Sequence, residues 1–180
     1  MVDENLFFEL ADTLAKTTVD VFKKMAKTDL SIGKASYKED KEVRGDISSI
    51  IGLTGTRKAD DSDETEDTFI DFKAVFVLTW PLEAYIEASN LMLKENYNTY
   101  NYEISDVGGE ICNVIMGNVK PDFENKGFTA NLSIPSVIHG SHHRVHYPLG
   151  STIITMPLTG PNGDIVLEFG YAENQNRRKV

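Results

Sequence analysis

The chain has 180 residues, 41% apolar and 26% charged, which is the usage of one folded globular domain and not of a disordered or fibrous chain. A net charge of -10 and a pI near 4.8 oppose any phosphate-backbone partner, so nucleic acid is not expected. A single cysteine, Cys112, excludes an internal disulfide framework and suits a reducing compartment. The start "MVDENLFFELADTL" has acids where a signal peptide needs basic residues, and no apolar run reaches membrane-spanning length, so the expectation is a cytoplasmic protein without a membrane partner.

In residues 6 to 27, Phe7, Leu10, Leu14, Val21 and Met25 recur at the spacing of one helical stripe. From 29 to 79 the texture changes to β-branched, alternating runs, "LSIGKASYKE", "DISSIIGLTG" and "TFIDFKAVFVLTW", which predict three strands. The run "KADDSDETED", residues 58 to 67, carries six acids in ten and predicts a solvated loop. It lacks the glycine and ligand spacing of a calcium loop.

Pro81 predicts a second helix, with Leu82, Tyr85, Ile86 and Met92 or Leu93 on its apolar side and an end near Asn96. Trp80 and the aromatic run "NYNTYNY" at 96 to 102 read as core and linker. A third helix is expected from about 102 to 120, stopping before Pro121, followed by strands at 127 to 135, 144 to 157 and 164 to 172. The turn "TGPNGD" at 159 to 164 predicts a hairpin, and residues 173 to 180, including "NRRKV", a flexible tail. Helix, three strands, two helices, three strands gives an α+β domain over 1 to 180. Its two halves look alike, and strands grouped in runs predict a mainly antiparallel sheet with helices packed on it.

At about 100° per residue, Asp106, Glu110, Asn113 and Gly117 fall within an arc of roughly 60° on the third helix, away from Val107, Ile111, Val114 and Ile115. Glu followed three residues later by Asn occurs four times in the chain, so the spacing alone decides little. Only this copy has an acid four residues before, a glycine four residues after, and the glycine pair of "DVGGE". Each of those glycines costs on the order of 1 kcal/mol of helix stability, which suggests close approach by a partner.

Two other candidates carry less. All four histidines, His139, His142, His143 and His146, fall in "HGSHHRVH", near enough to hold zinc or nickel, yet no cysteine or acid joins them and the spacing fits no standard zinc module. Solvated loop histidines are expected instead. Cys112 lies beside Glu110 but has no histidine near it in sequence, and reads as a packing residue.

"DVGGEICNVIMGNVK" followed by "FTANLSIPSVIHG" resembles the CheX branch of the CheC/CheX/FliY family of chemotaxis phosphatases. The family signature is an acid or Ser, three residues, Glu, two residues, Asn, then a Pro some twenty residues on, and Asp106, Glu110, Asn113 and Pro135 take those places. "GDISSIIGLTG" is similar to the family's first hairpin region, so the resemblance spans most of residues 6 to 172. It implies a duplicated helix-plus-three-strand fold and hydrolysis of the aspartyl phosphate on a CheY-like receiver domain. In that reaction Asn113 would orient the attacking water and Glu110 would contact a receiver lysine, with Asp106 and Gly117 supporting the surface or contacting the partner. Magnesium would sit on the receiver, with no cofactor or metal on this chain, and a homodimer is implied. The family's second active face, on the first helix, is not expected, because "DTLAKTTV" puts Lys16 and Val19 where Glu and Asn belong. The competing reading is a module that binds a receiver through the same face without hydrolysing its phosphate.

Overall fold

The computed structural model describes residues 3–39, 45–59 and 68–179, with side chains through residue 174. Expectations for the acidic run between 60 and 67 lie outside the described residues.

Two long hairpins form the middle of one sheet. β3 (Ile47–Lys58) pairs with β4 (Thr68–Trp80), Ile47 opposite Trp80 and Lys58 opposite Phe69, and β7 (Thr152–Gly160) pairs with β8 (Gly163–Lys179) across the predicted turn. β4 and β8 lie side by side and join the hairpins. Each edge is a strand broken in two: β1 (Ser31–Ile32) and β2 (Ser36–Tyr37) run along β7, and β5 (Phe128–Leu132) and β6 (Ser136–His139) run along β3. Every pairing is antiparallel, and the strand order β1-β7-β8-β4-β3-β5 reads the same in structural role from either end. Each half thus contributes a helix, a broken edge strand and a hairpin, and lends its edge strand to the hairpin of the other half. The expected α+β duplication and antiparallel sheet are both present.

Among the described residues three α-helices join the sheet: α1 (Glu4–Met25), α2 (Leu82–Leu93) and α3 (Val107–Asn125). Asp3 starts α1 by accepting the amides of Asn5 and Leu6 at 2.8 and 3.2 Å. Its buried stripe, Phe7, Leu10, Leu14, Val21 and Phe22, lies on the sheet face formed by Phe72, Phe76, Trp80, Leu167, Phe169 and Tyr171, and α3 packs beside α1 on that face. Among the described residues no helix is long and apolar enough to cross a membrane.

Three of the departures from the sequence reading reshape the fold. First, α3 does not stop before Pro121 but runs through it to Asn125. Phe123 lies one turn inside the extension, buried against Phe128 and Phe169 at ring-centroid distances of 5.9 and 6.2 Å. The lost backbone bond is the one Gly117 C=O would accept, and Gly117 is exposed, so water can serve it. The helix ends at Gly127, whose φ of +81° only glycine adopts without strain.

Second, residues 144 to 151 are not the start of a strand. They belong to a strap from β6 to β7 across the helix-free face of the sheet. Tyr147 lies over Gly170 and donates its hydroxyl to Glu168, which also holds Lys38 in a buried ion pair, and Pro148 and Gly150 (φ +79°) turn the chain into β7. Third, residues 173 to 179 are not a frayed tail but the end of β8, where backbone bonding to Thr68–Ile70 of β4 overrides the polar composition.

Candidate functional site on the third helix

A single 3-10 turn, Tyr102–Ile104, precedes α3, so the helix predicted from 102 is interrupted at Ser105 and Asp106. Asp106 is therefore the N-cap of α3 and not an interior residue, yet its side chain makes no capping bond. That task falls to Tyr85 of α2. Its buried hydroxyl donates to Ile104 O at 2.9 Å or Ser105 O at 3.1 Å and accepts the Gly108 amide at 3.0 Å. Burial pushes the Tyr85 phenol well above its ordinary pKa, so it remains a protonated donor.

The glycine pair belongs to this packing and not to a partner's approach. A Cβ on Gly108 would stand 2.0 Å from Ser49 Oγ of β3 and 2.9 Å from the Tyr85 ring, which brings the first turn of α3 directly onto the sheet. A Cβ on Gly109 would lie 3.5 Å from Pro135 and 3.7 Å from Val137, ordinary contact distances. Pro135, distant in sequence, is thus brought against the turn that carries Glu110.

Asp106, Glu110, Asn113 and Gly117 are all exposed, whereas Val107, Ile111 and Ile115 are buried and Val114 is half-buried. Among the described residues the side chains of Asp106, Glu110 and Asn113 make no hydrogen bond or ion pair. Nothing stands within 4 Å of a Cβ placed on Gly117. Two carboxylates, one carboxamide and a bare stretch of backbone therefore share a convex helix face. Such a face cannot enclose a small substrate, but it can enter a concave site on another macromolecule.

The remaining candidates separate from it. Cys112 is buried, and burial raises its thiol pKa, so it is a packing residue and no nucleophile. The histidines do not converge. His139 stacks on Tyr100 at 3.9 Å, His142 and His146 are exposed, and His143 is half-buried, its two ring nitrogens 2.6 Å from Gly140 O and 2.7 Å from Ser48 Oγ. His143 thus pins the strap to β3 and is not the solvated loop residue expected of it. Among the described residues no three His, Cys, Asp or Glu side chains form a group able to hold a metal. Sequence reasoning placed Tyr85 only on an apolar stripe; its capping role depends on a contact between elements that periodicity does not report.

A family profile described as "Chemotaxis phosphatase CheX" matches residues 69–159, half the chain and all of α3. The chain belongs to the CheX family. Among solved structures, the CheX of Desulfovibrio desulfuricans is similar at a TM-score of 0.76 and 23% identity, covering 91% of this chain and 99% of that one. The CheX of Vibrio vulnificus is similar at 0.75 and 26%, again covering 91% and 99%. A CheX from Borrelia burgdorferi, solved in complex with CheY, BeF3 and magnesium, is similar at 0.68 and 20%, covering 92% and 97%. No curated protein matches the sequence. The CheX fold therefore accounts for nearly the whole chain, including α1 and the C-terminal strand that lie outside the matched segment.

Proposed function

We propose that this CheX-family protein hydrolyses the aspartyl phosphate of a CheY-like receiver domain, using the exposed face of α3. The observation that carries the reading is the unpartnered, solvent-exposed set of Glu110 and Asn113 on a helix whose opposite side is locked to the sheet. Support also comes from the family and from the CheY-bound relative.

Asn113 reaches into the receiver's phosphorylation pocket. Its carboxamide has both a donor and an acceptor, so it holds a water in line with the phosphorus–oxygen bond to the aspartate. Phosphoryl transfer passes through a loose transition state with little need for a strong base, so positioning the water is a sufficient contribution from this chain. Glu110, acidic and one turn away on the same arc, pairs with a receiver lysine and fixes the depth of entry. Asp106 supports that surface, and Gly117 lets partner backbone approach. Magnesium, held on the receiver, neutralises the developing charge. The protein acts in the cytoplasm, as a homodimer.

The test is the decay of phosphate from a magnesium-loaded, phosphorylated CheY-like receiver with and without the protein. Acceleration is expected with the wild type and its loss with Asn113→Ala and Glu110→Ala. Binding without acceleration would replace the phosphatase by a receiver-binding module.

A further inference from the structure

Two of the most exposed large apolar side chains of the molecule border the polar arc of α3, and neither has a function inside the fold. Ile134 is 89% exposed and Tyr102 is 93% exposed. Their backbones are held firmly. Ser133 donates its amide to Gly52 O at 2.8 Å and accepts the Gly52 amide on its Oγ at 2.9 Å, while Pro135 packs on Gly109. Ile134 is therefore presented between two anchored neighbours at the sheet edge where the broken strand passes from β5 to β6. Tyr102 opens the 3-10 turn in front of α3. Its carbonyl accepts both the amide and the hydroxyl of Ser105, at 3.3 and 2.7 Å.

Position relative to the site follows from helical geometry. Gly109 points at Pro135. Asn113 lies about 40° around the helix from Gly109, Asp106 about 60°, Gly117 about 80° and Glu110 about 100°. The polar arc thus begins beside the Ile134 loop, on the Asn113 side, and Tyr102 stands at its N-terminal end. An exposed ion pair from Glu110 supplies little affinity, typically below 1 kcal/mol, because water and salt screen it. A helix face of three small polar groups needs apolar contacts to dock anything.

We infer that Ile134 and Tyr102 form an apolar rim that binds the receiver domain around its phosphorylation pocket, setting affinity while the arc between them does the chemistry. The inference rests on the function proposed above. The partner it selects carries an acyl phosphate in a concave pocket with exposed apolar side chains at its border, and the rim meets that border as the arc enters.

The experiment measures the Kd of the full chain for a magnesium-loaded receiver carrying beryllofluoride in place of its phosphate. Wild type, Ile134→Ser, Ile134→Leu, Tyr102→Ser and Leu149→Ser are compared. Leu149 is equally exposed but sits on the strap across the other face of the sheet. Ile134→Ser and Tyr102→Ser are each expected to raise Kd roughly tenfold, the loss of one well-buried apolar side chain at an interface. Ile134→Leu and Leu149→Ser are expected to stay within about twofold of wild type. Coincident melting temperatures would assign the changes to docking, since substitution of exposed residues leaves folding nearly unaltered. A Kd unchanged by both serine variants, with wild type binding, overturns the rim alone. Failure of the wild type to bind or to accelerate phosphate loss overturns the function above, and the rim with it.

Discussion

Adding one methyl group to each glycine of α3 in turn should stabilise the protein at two positions and destabilise it at the third. In a helix, Gly→Ala is favourable by up to about 1 kcal/mol from propensity alone. At Gly117 a Cβ meets nothing within 4 Å, so the full gain is expected. At Gly109 it meets Pro135 at 3.5 Å, an ordinary contact, and stability should rise by a similar or slightly smaller amount. At Gly108 it falls 2.0 Å from Ser49 Oγ, 2.9 Å from the Tyr85 ring and 3.2 Å from Ser49 Cβ. Serine can turn its hydroxyl away, but its Cβ and the tyrosine ring stay, so either α3 shifts off β3 or the phenol loses its bonds. Overpacking of this kind costs about 1–3 kcal/mol, which against a propensity gain of up to about 1 kcal/mol leaves a net loss of up to about 2 kcal/mol for Gly108→Ala.

Urea denaturation of the three single variants, read as midpoints at constant slope, checks the ordering. For a domain of this size 1 kcal/mol corresponds to about 2–4 °C, so melting curves would resolve it as well. Ser49→Ala removes a buried hydroxyl that has no hydrogen-bond partner, so by itself it should be nearly neutral. Combined with Gly108→Ala it should recover part of the loss, because the nearest clashing atom is gone, while the Tyr85 contact keeps the recovery incomplete. A Gly108→Ala protein as stable as wild type, or a double variant showing no coupling, would refute the account of how α3 is seated.

Tyr85→Phe keeps the ring but leaves the buried Gly108 amide without an acceptor. A loss of about 1–3 kcal/mol is expected, with faster amide exchange concentrated at residues 107 to 110; unchanged exchange there would show that the phenol does not cap α3. The second expectation concerns acid. Burial raises the Glu173 carboxyl, but the Arg57 guanidinium at 2.5 Å and the Tyr171 hydroxyl hold it below its ordinary value in the fold. A folded-state pKa below the unfolded one contributes stability that is present above about pH 4.5 and is lost as the pH falls through the folded value. Stability measured between pH 7 and pH 3 should therefore fall more steeply for wild type than for Glu173→Gln. Parallel curves would remove Glu173 from the acid response.

The β-branched runs, the apolar stripe of α1 and the hairpin turn at 159 to 164 were legible in the sequence because each reflects a period or a turn chemistry contained within a few residues. So was the polar arc of α3, since helical spacing alone brings Asp106, Glu110, Asn113 and Gly117 to one side. The misplaced boundaries share one cause. Pro121 within α3, the strap at 144 to 151 and the paired end of β8 all depend on partners far along the chain, Phe169 for Phe123, Gly170 for Tyr147 and Thr68–Ile70 for the last strand residues. The glycine pair misled for the same reason. Two helix-weakening residues at an otherwise regular site looked like an opening for a partner, whereas the occupants of that space are Ser49, Tyr85 and Pro135 of the same chain.

The same placement explains why the polar face is available at all. Most of what seats α3 lies on its other side, Gly108 on β3 and Tyr85, and Ile111, Ile115, Val119 and Phe123 in the core, while Gly109 rests on Pro135 at the flank beside Asn113. The duplicate helix α1 is seated just as deeply, but its outer face uses its charges internally. Lys16 pairs with Asp12 at 2.6 Å, Lys24 with Asp20 at 2.5 Å, and Glu9 reaches across to Lys126 at 2.6 Å. On α3, Asp106, Glu110 and Asn113 are in water with no partner among the described residues. Exposed groups without internal partners contribute within about 0.5 kcal/mol to folding, so removing them leaves the helix where it is. A defect in the Glu110 and Asn113 variants can then be read as lost chemistry or lost docking, and not as a displaced helix. The fold thus keeps the residues in the core that seat α3 apart from Asp106, Glu110 and Asn113, whereas the outer charges of α1 are paired within the chain.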